Sequence, residues 1–96
     1  MKIRWTEYAA ARLPEIKEYI AVDNPRAALK QVRFIVAATR RLGMFPSSGR
    51  IGRVEGTREL TVPGTPYIIP YRIVNDVVQL LSIEHGAYEW PEHFST

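Results

Sequence analysis

At Phe45-Pro46 the hydrophobic period of this 96-residue chain changes, and that change limits the fold more than any other feature. Before it, apolar residues recur at spacings of three and four; after it, they alternate. Helices gathered in the first half and strands in the second predict an α+β domain. A chain of this length builds one modest core and not two, so residues 1–96 read as a single domain.

The first half resolves into three elements. Lys2-Ile3-Arg4-Trp5 alternates polar and apolar residues, as a short strand does. Thr6 suits an N-cap, because its side-chain oxygen can accept from a free first-turn N–H. Ala9, Leu13, Ile16 and Ile20 then form one helical stripe. Pro14 lacks the N–H that would bond to Ala10, which predicts either a kink or a helix that begins near Leu13. Asp23-Asn24-Pro25 is a stop and restart, with Asn24 as N-cap and Pro25 at the first helical position. The second helix is expected to run to about Leu42, with Leu29, Val32, Ile35, Val36 and Leu42 inward and Gly43 as the left-handed residue after it. A break this short makes an antiparallel helical hairpin.

In the second half, residues 50–54 and 57–62 read as strands joined at Glu55-Gly56, and Pro63-Gly64 closes the second. Residues 67–74 and 77–84 are the clearest strands, joined by the two-residue turn Asn75-Asp76. That turn pairs Val74 with Val77, Arg72 with Gln79 and Pro70 with Leu81. One face then carries Arg72 and Gln79; the other carries Ile69, Tyr71, Ile73, Val78 and Leu80 and is expected to pack on the helices. Pro70 cannot donate to a ladder, so one side of its strand must be unpaired or bulged there.

Charge and chemistry narrow the function classes. With no cysteine there is no disulfide framework and no thiolate zinc site. No apolar run approaches the roughly 20 residues of a membrane span, and the first residues do not resemble a signal peptide, so a cytosolic location is expected. His85 and His93 are eight apart and form no familiar metal-ligand spacing, so no metal is expected. The serines lie in no nucleophile-elbow context, and the glycines at 49, 52 and 56 are separated by Arg and other residues that suit turns better than a phosphate loop.

The formal net charge is +3, and its distribution says more than its size. Between Asn24 and Arg58 there are eight bases and one acid, Glu55, whereas residues 73–96 hold four acids and no Lys or Arg. This asymmetry points to a polyanionic or acidic partner for the middle of the chain, or to a solvated basic helix face. Within it stands a basic, aromatic set: Arg50, Arg53, Arg58, Arg72, His85 and Tyr88. Arginine forks match phosphate oxygens, a histidine titrates near neutrality, and a tyrosine stacks on bases. Such a set can hold RNA and cleave it through the 2′-hydroxyl without a metal. Each residue also has a structural reading: Arg58 pairing with an acid, Arg72 covering a sheet edge, His85 capping a strand. Both readings stay open on the residues alone.

Three strings carry a family resemblance. Gly49-Arg50-Ile51-Gly52-Arg53-Val54-Glu55-Gly56-Thr57-Arg58-Glu59-Leu60, Tyr67-Ile68-Ile69-Pro70-Tyr71-Arg72-Ile73 and His85-Gly86-Ala87-Tyr88-Glu89-Trp90-Pro91 resemble the motifs of RelE/ParE-superfamily toxins, above all the ParE-like branch. Trp5, Tyr19-Ile20-Ala21 and Asn24-Pro25-Arg26-Ala27-Ala28 also sit where that family has similar residues. The resemblance implies a short N-terminal strand and an antiparallel helical hairpin packed on a four-stranded antiparallel sheet. It implies the toxin of a type II toxin–antitoxin module, neutralised by a ParD-like antitoxin and acting on DNA gyrase, with no cofactor. Arg50, Arg53, Arg58 and Arg72 would then contact target or antitoxin. The superfamily's other activity, ribosome-dependent mRNA cleavage, would use Arg58, Arg72, His85 and Tyr88 as catalytic residues. A third possibility is a degenerate toxin that only binds its antitoxin. The ParE-like pattern commonly has Arg where this chain has Tyr88, and the dense lysine cluster of RelE-like nucleases is missing, so the gyrase-binding reading is preferred.

Overall fold

The computed structural model describes residues 1–87 and 90–91. Its elements are β1 (Lys2–Trp5), α1 (Glu7–Ala21), α2 (Pro25–Met44), β2 (Arg50–Ile51), β3 (Arg58–Thr61), β4 (Tyr67–Val74), β5 (Val77–Leu80) and β6 (Glu84–His85). The helices form a hairpin on one face of a sheet of order β1-β5-β4-β3-β2, with β6 pairing β4 beyond the end of β5. Ala9 and Ile16 of α1 and Ile35, Ala38 and Leu42 of α2 meet Ile69, Tyr71, Val78 and Leu80 in one core. The fold is α+β, as the change of period requires.

The sheet is mixed and six-stranded, where four antiparallel strands and a separate N-terminal strand were expected. β1 joins it by pairing parallel to β5, from Lys2↔Val77 to Trp5↔Leu80. A parallel neighbour needs a long crossover, and the helical hairpin begins it.

The sixth strand follows from Pro70. Its carbonyl accepts from the Leu81 N–H at 2.9 Å, so its missing N–H faces the same neighbour. There the ladder slips. From Tyr71 to Tyr67 β4 moves four residues while the opposing chain moves five, from Leu80 to His85. One extra residue is a β-bulge, and it divides the expected 77–84 strand into β5 and β6. The turn Asn75-Asp76 behaves as its residues predict, with φ of 50° and 61° and the register Val74↔Val77 and Arg72↔Gln79.

Thr6 ties the helical layer to that slip. Its hydroxyl accepts from Ala9 N–H at 3.2 Å as the N-cap of α1 and donates to the Leu80 carbonyl at 2.8 Å. Its own N–H reaches the same carbonyl at 3.1 Å. Capped there, α1 runs unbroken from Glu7 through Pro14, so the helix does not wait for Leu13 to begin. Asn24 caps α2 by accepting from Ala27 N–H at 3.1 Å.

Three expectations are corrected. Gly43 is not a left-handed stop: α2 continues to Met44, and the Gly43 carbonyl accepts from the N-terminal ammonium of Met1 at 2.9 Å. A Cβ at Gly43 would lie 3.1 Å from the Met1 carbonyl oxygen, so the glycine serves close approach rather than backbone sign. Leu29 is exposed, because the buried stripe of α2 runs through Ala28, Ile35, Ala38, Thr39 and Leu42 and leaves Leu29 to one side of it. Ile73 lies on the helix-facing side but near the hairpin end, beyond the reach of the helices, and is exposed.

Thr6→Ala removes the cap and one bond to Leu80, and is expected to lower stability by about 1–3 kcal/mol in urea unfolding. Thr6→Ser should keep most of it.

Candidate functional site

The basic stretch folds around an acid that immediately follows it. In β3, Glu59 pairs with Arg50 on one side and Pro70 on the other, and its side chain is 3% exposed. Pro70 offers a carboxylate nothing to bond. Compensation comes from the arginines: Arg50 donates from Nη2 at 3.0 Å and Nε at 3.3 Å, and Arg53 from its backbone N–H at 2.7 Å and its Nε at 3.2 Å. The turn at Gly56, with φ of 79°, brings Arg53 back over the strand it precedes. Burial by itself pushes the Glu59 carboxyl up, but the Arg53 backbone bond, the two side-chain bonds and the Arg53 charge outweigh it and hold the group below its ordinary value of 4.5. The outer face of the Arg53 guanidinium carries the Trp90 ring, 3.4 Å from the ring centre, and the Trp90 indole N–H donates to the His85 carbonyl at 3.0 Å.

Arg58 is built differently. It pairs with Tyr71, and sheet partners share a face, so it lies on the helix-facing side. Its Nη1 donates to the Gly49 carbonyl at 2.8 Å, while Tyr71 donates to the Pro46 carbonyl at 2.7 Å and accepts from Gly49 N–H at 2.9 Å. Only glycine fits at 49, since a Cβ there would lie 2.7 Å from the Tyr71 ring and 2.9 Å from the Glu59 carbonyl oxygen. Burial pushes the Tyr71 hydroxyl above 10, with the Gly49 bond and the Arg58 charge opposing in part.

Arg72 and His85 are brought to opposite sides of the sheet. Arg72 pairs with Gln79 on the face away from the helices, the face that also carries Arg50 and Glu59. His85 pairs with Tyr67, and their rings meet edge to face with centres 5.6 Å apart. Tyr67 belongs to the core beneath the helices, and His85 lines a hollow with Arg12, Glu15, Ile16 and Tyr19 of α1. Arg50, Arg53 and Arg72 therefore stand on the face away from the helices, and Arg58 and His85 on the helix-facing side. Tyr88 lies outside the described residues. Sequence reading missed Glu59, Tyr71 and Trp90 as organisers. The signal for Glu59 was available: the stretch looks uncompensated when counted to Arg58, and its acid is the next residue.

Arg53→Met is expected to destabilise the fold by about 1–2 kcal/mol, the exposed guanidinium being partly screened. In a double-mutant cycle with Glu59→Gln the two changes should couple by about 1 kcal/mol. Simple additivity in urea unfolding would contradict the arrangement.

Comparison with known proteins places this geometry. The model of the family described as ParE toxin of type II toxin-antitoxin system, parDE, matches residues 3–90. Y4kP of Sinorhizobium fredii is 47% identical over 95% of this chain and 94% of its own length. Toxin RelE2 of Caulobacter vibrioides is 30% identical over 90% of this chain and 96% of its own. A solved structure of the chromosomal ParDE TA system from P. aeruginosa superposes with a TM-score of 0.79 at 34% identity, covering 88% of this chain and 95% of that one. With the strings that first suggested it, these matches span nearly the whole sequence, and the chain belongs to the ParE family of type II toxin–antitoxin toxins.

Proposed function

We propose that this toxin arrests growth in the cytoplasm by binding and poisoning DNA gyrase, and that a cognate ParD-like antitoxin neutralises it. The observation that carries the choice of target is the division of the basic set by the sheet. Metal-free cleavage of RNA needs a proton-transfer group and phosphate-holding cations converging on one bond. Arg72 and His85 face opposite sides, Arg58 holds loop carbonyls, and Arg50 and Arg53 already hold Glu59. That distribution supports a toxin that works through contact surfaces. Arg50 and Arg53 remain 58% and 45% exposed while paired, which leaves guanidinium edges for an acidic partner.

Support for an antitoxin comes from α2. Its outer side exposes Arg26, Lys30, Arg33, Arg40 and Arg41 beside Leu29 and Phe34. A mixed basic and apolar helix face suits an acidic, amphipathic segment that orders on binding. The second reading, a ribosome-dependent ribonuclease, is favoured by the similarity to toxin RelE2.

Purified toxin should inhibit gyrase supercoiling and accumulate cleaved DNA, and primer extension on translated messages after induction should show no codon-register cuts. Such cuts with undisturbed supercoiling would overturn the gyrase reading in favour of the nuclease.

A further inference from the structure

The arginines of this chain divide into those bonded within it and those left over. Arg12, Arg50, Arg53 and Arg58 each donate to a carbonyl or carboxylate of the protein itself. The cations of α2, Arg26, Lys30, Arg33, Arg40 and Arg41, are all exposed, and none forms an ion pair among the described residues. Lys30 adds only a loose contact with the Phe34 ring, at 5.8 Å. No Asp or Glu stands anywhere in Pro25–Met44.

This arrangement works against the helix that carries it. Arg26 and Lys30 are four apart and Lys30 and Arg33 three, spacings at which like charges repel on a helix surface. Arg26 stands in a first turn without an acid, where the macrodipole disfavours a cation. An ordinary solvated helix mixes signs and gains from both effects. One that forgoes both calls for an anion from outside the chain.

The spacing points to the form of that anion. At 3.6 residues per turn the cations fall within an arc of about 100°, opposite the buried Ala28, Ile35, Ala38 and Leu42. Along the axis they make two groups, Arg26, Lys30 and Arg33 in one and Arg40 and Arg41 in the other. Arg33 and Arg40 are about 10 Å apart along the helix, close to the roughly 12 Å width of a DNA major groove. Phe34 to Thr39, between the groups, are uncharged and present no exposed polar side chain that could read a base edge. The sequence pI of 9.5, with cations gathered along one helix, is the electrostatic footprint of a nucleic-acid surface.

We infer that α2 binds duplex DNA without regard to sequence, crossing the major groove with one group of cations on each bordering phosphate strand. Guanidinium forks donate to the phosphate oxygens. An acidic antitoxin segment laid over Leu29 and Phe34, at the two flanks of the arc, would cover the same cations and compete with the DNA. Where this binding takes place rests on the gyrase reading, gyrase being an enzyme that holds duplex DNA; the binding itself does not.

Fluorescence anisotropy of the purified toxin with labelled DNA, in the absence of gyrase, tests it. Two duplexes of unrelated sequence should bind equally, and log affinity should fall with log salt at a slope of about −3 to −4.5 between about 50 and 200 mM. Neutralising either group, by Arg26→Gln with Lys30→Gln and Arg33→Gln or by Arg40→Gln with Arg41→Gln, should weaken binding about tenfold or more and flatten the slope by about 0.9 for each charge removed. The pair Lys2→Gln and Arg4→Gln, exposed on β1, should change affinity by less than about twofold. All these side chains are exposed, so the variants should melt close to the parent. A flat salt dependence of the unmodified toxin, loss of binding from one group only, an equal loss from the β1 pair, or tighter binding of a single strand or a glutamate-rich peptide than of the duplex would overturn the inference.

Discussion

The Glu59 carboxylate is the constraint around which the β2–β3 end of this toxin's sheet is arranged. It sits in an inner strand beside the apolar ring of Pro70, and a bare charge there would be prohibitive. Three consequences follow from satisfying it. The short β2 strand is held to β3 through Arg50, the loop after it is drawn back so that the Arg53 N–H can reach the carboxylate, and the Arg53 guanidinium is held flat enough to carry Trp90. A stretch that looks in isolation like a reservoir of free positive charge is thus partly committed to one buried acid.

The other half of the architecture rests on a mismatch. Pro70 withdraws a donor from the side of β4 that faces β5, the ladder gains a residue there, and the chain restarts as β6. Thr6 meets the same place from the opposite direction, bonding the Leu80 carbonyl while it starts α1. The slip also fixes which way His85 points: it is set beside Tyr67 and under α1, while Arg72, before the slip, stays with Gln79 on the face away from the helices. A backbone defect in mid-sheet therefore bears on what chemistry the surface can perform.

The parts of this fold written in local patterns were legible. Asn24-Pro25, Asn75-Asp76 and the alternation of residues 67–74 each act over a few residues, and the structure has them where the residues put them. The bulge demanded by Pro70 was legible as a need but not as an outcome, because the extra residue is chosen by pairing across the sheet. The parallel β1–β5 pairing, the helical state of Gly43 and the exposure of Leu29 depend on contacts distant in sequence, which no local period encodes. For the candidate site, residue types were identified and their sides were not. Arg58 and Arg72 are fourteen positions apart, with a turn between them, and only the register assigns them to different faces.

If Glu59 is the organising charge, it must be ionised and multiply bonded in the folded protein. A group held below its ordinary value contributes stability that is present above the unfolded value and lost as pH falls through the folded one. The direct measurement is a carbon-13 titration of the Glu59 side-chain carboxyl in the intact toxin, followed downward from neutral pH. The account predicts a midpoint below the ordinary 4.5, since the Arg50 and Arg53 bonds outweigh burial. A midpoint at or above 4.5 would mean that burial wins, and that the arginines are not bound to Glu59 as described.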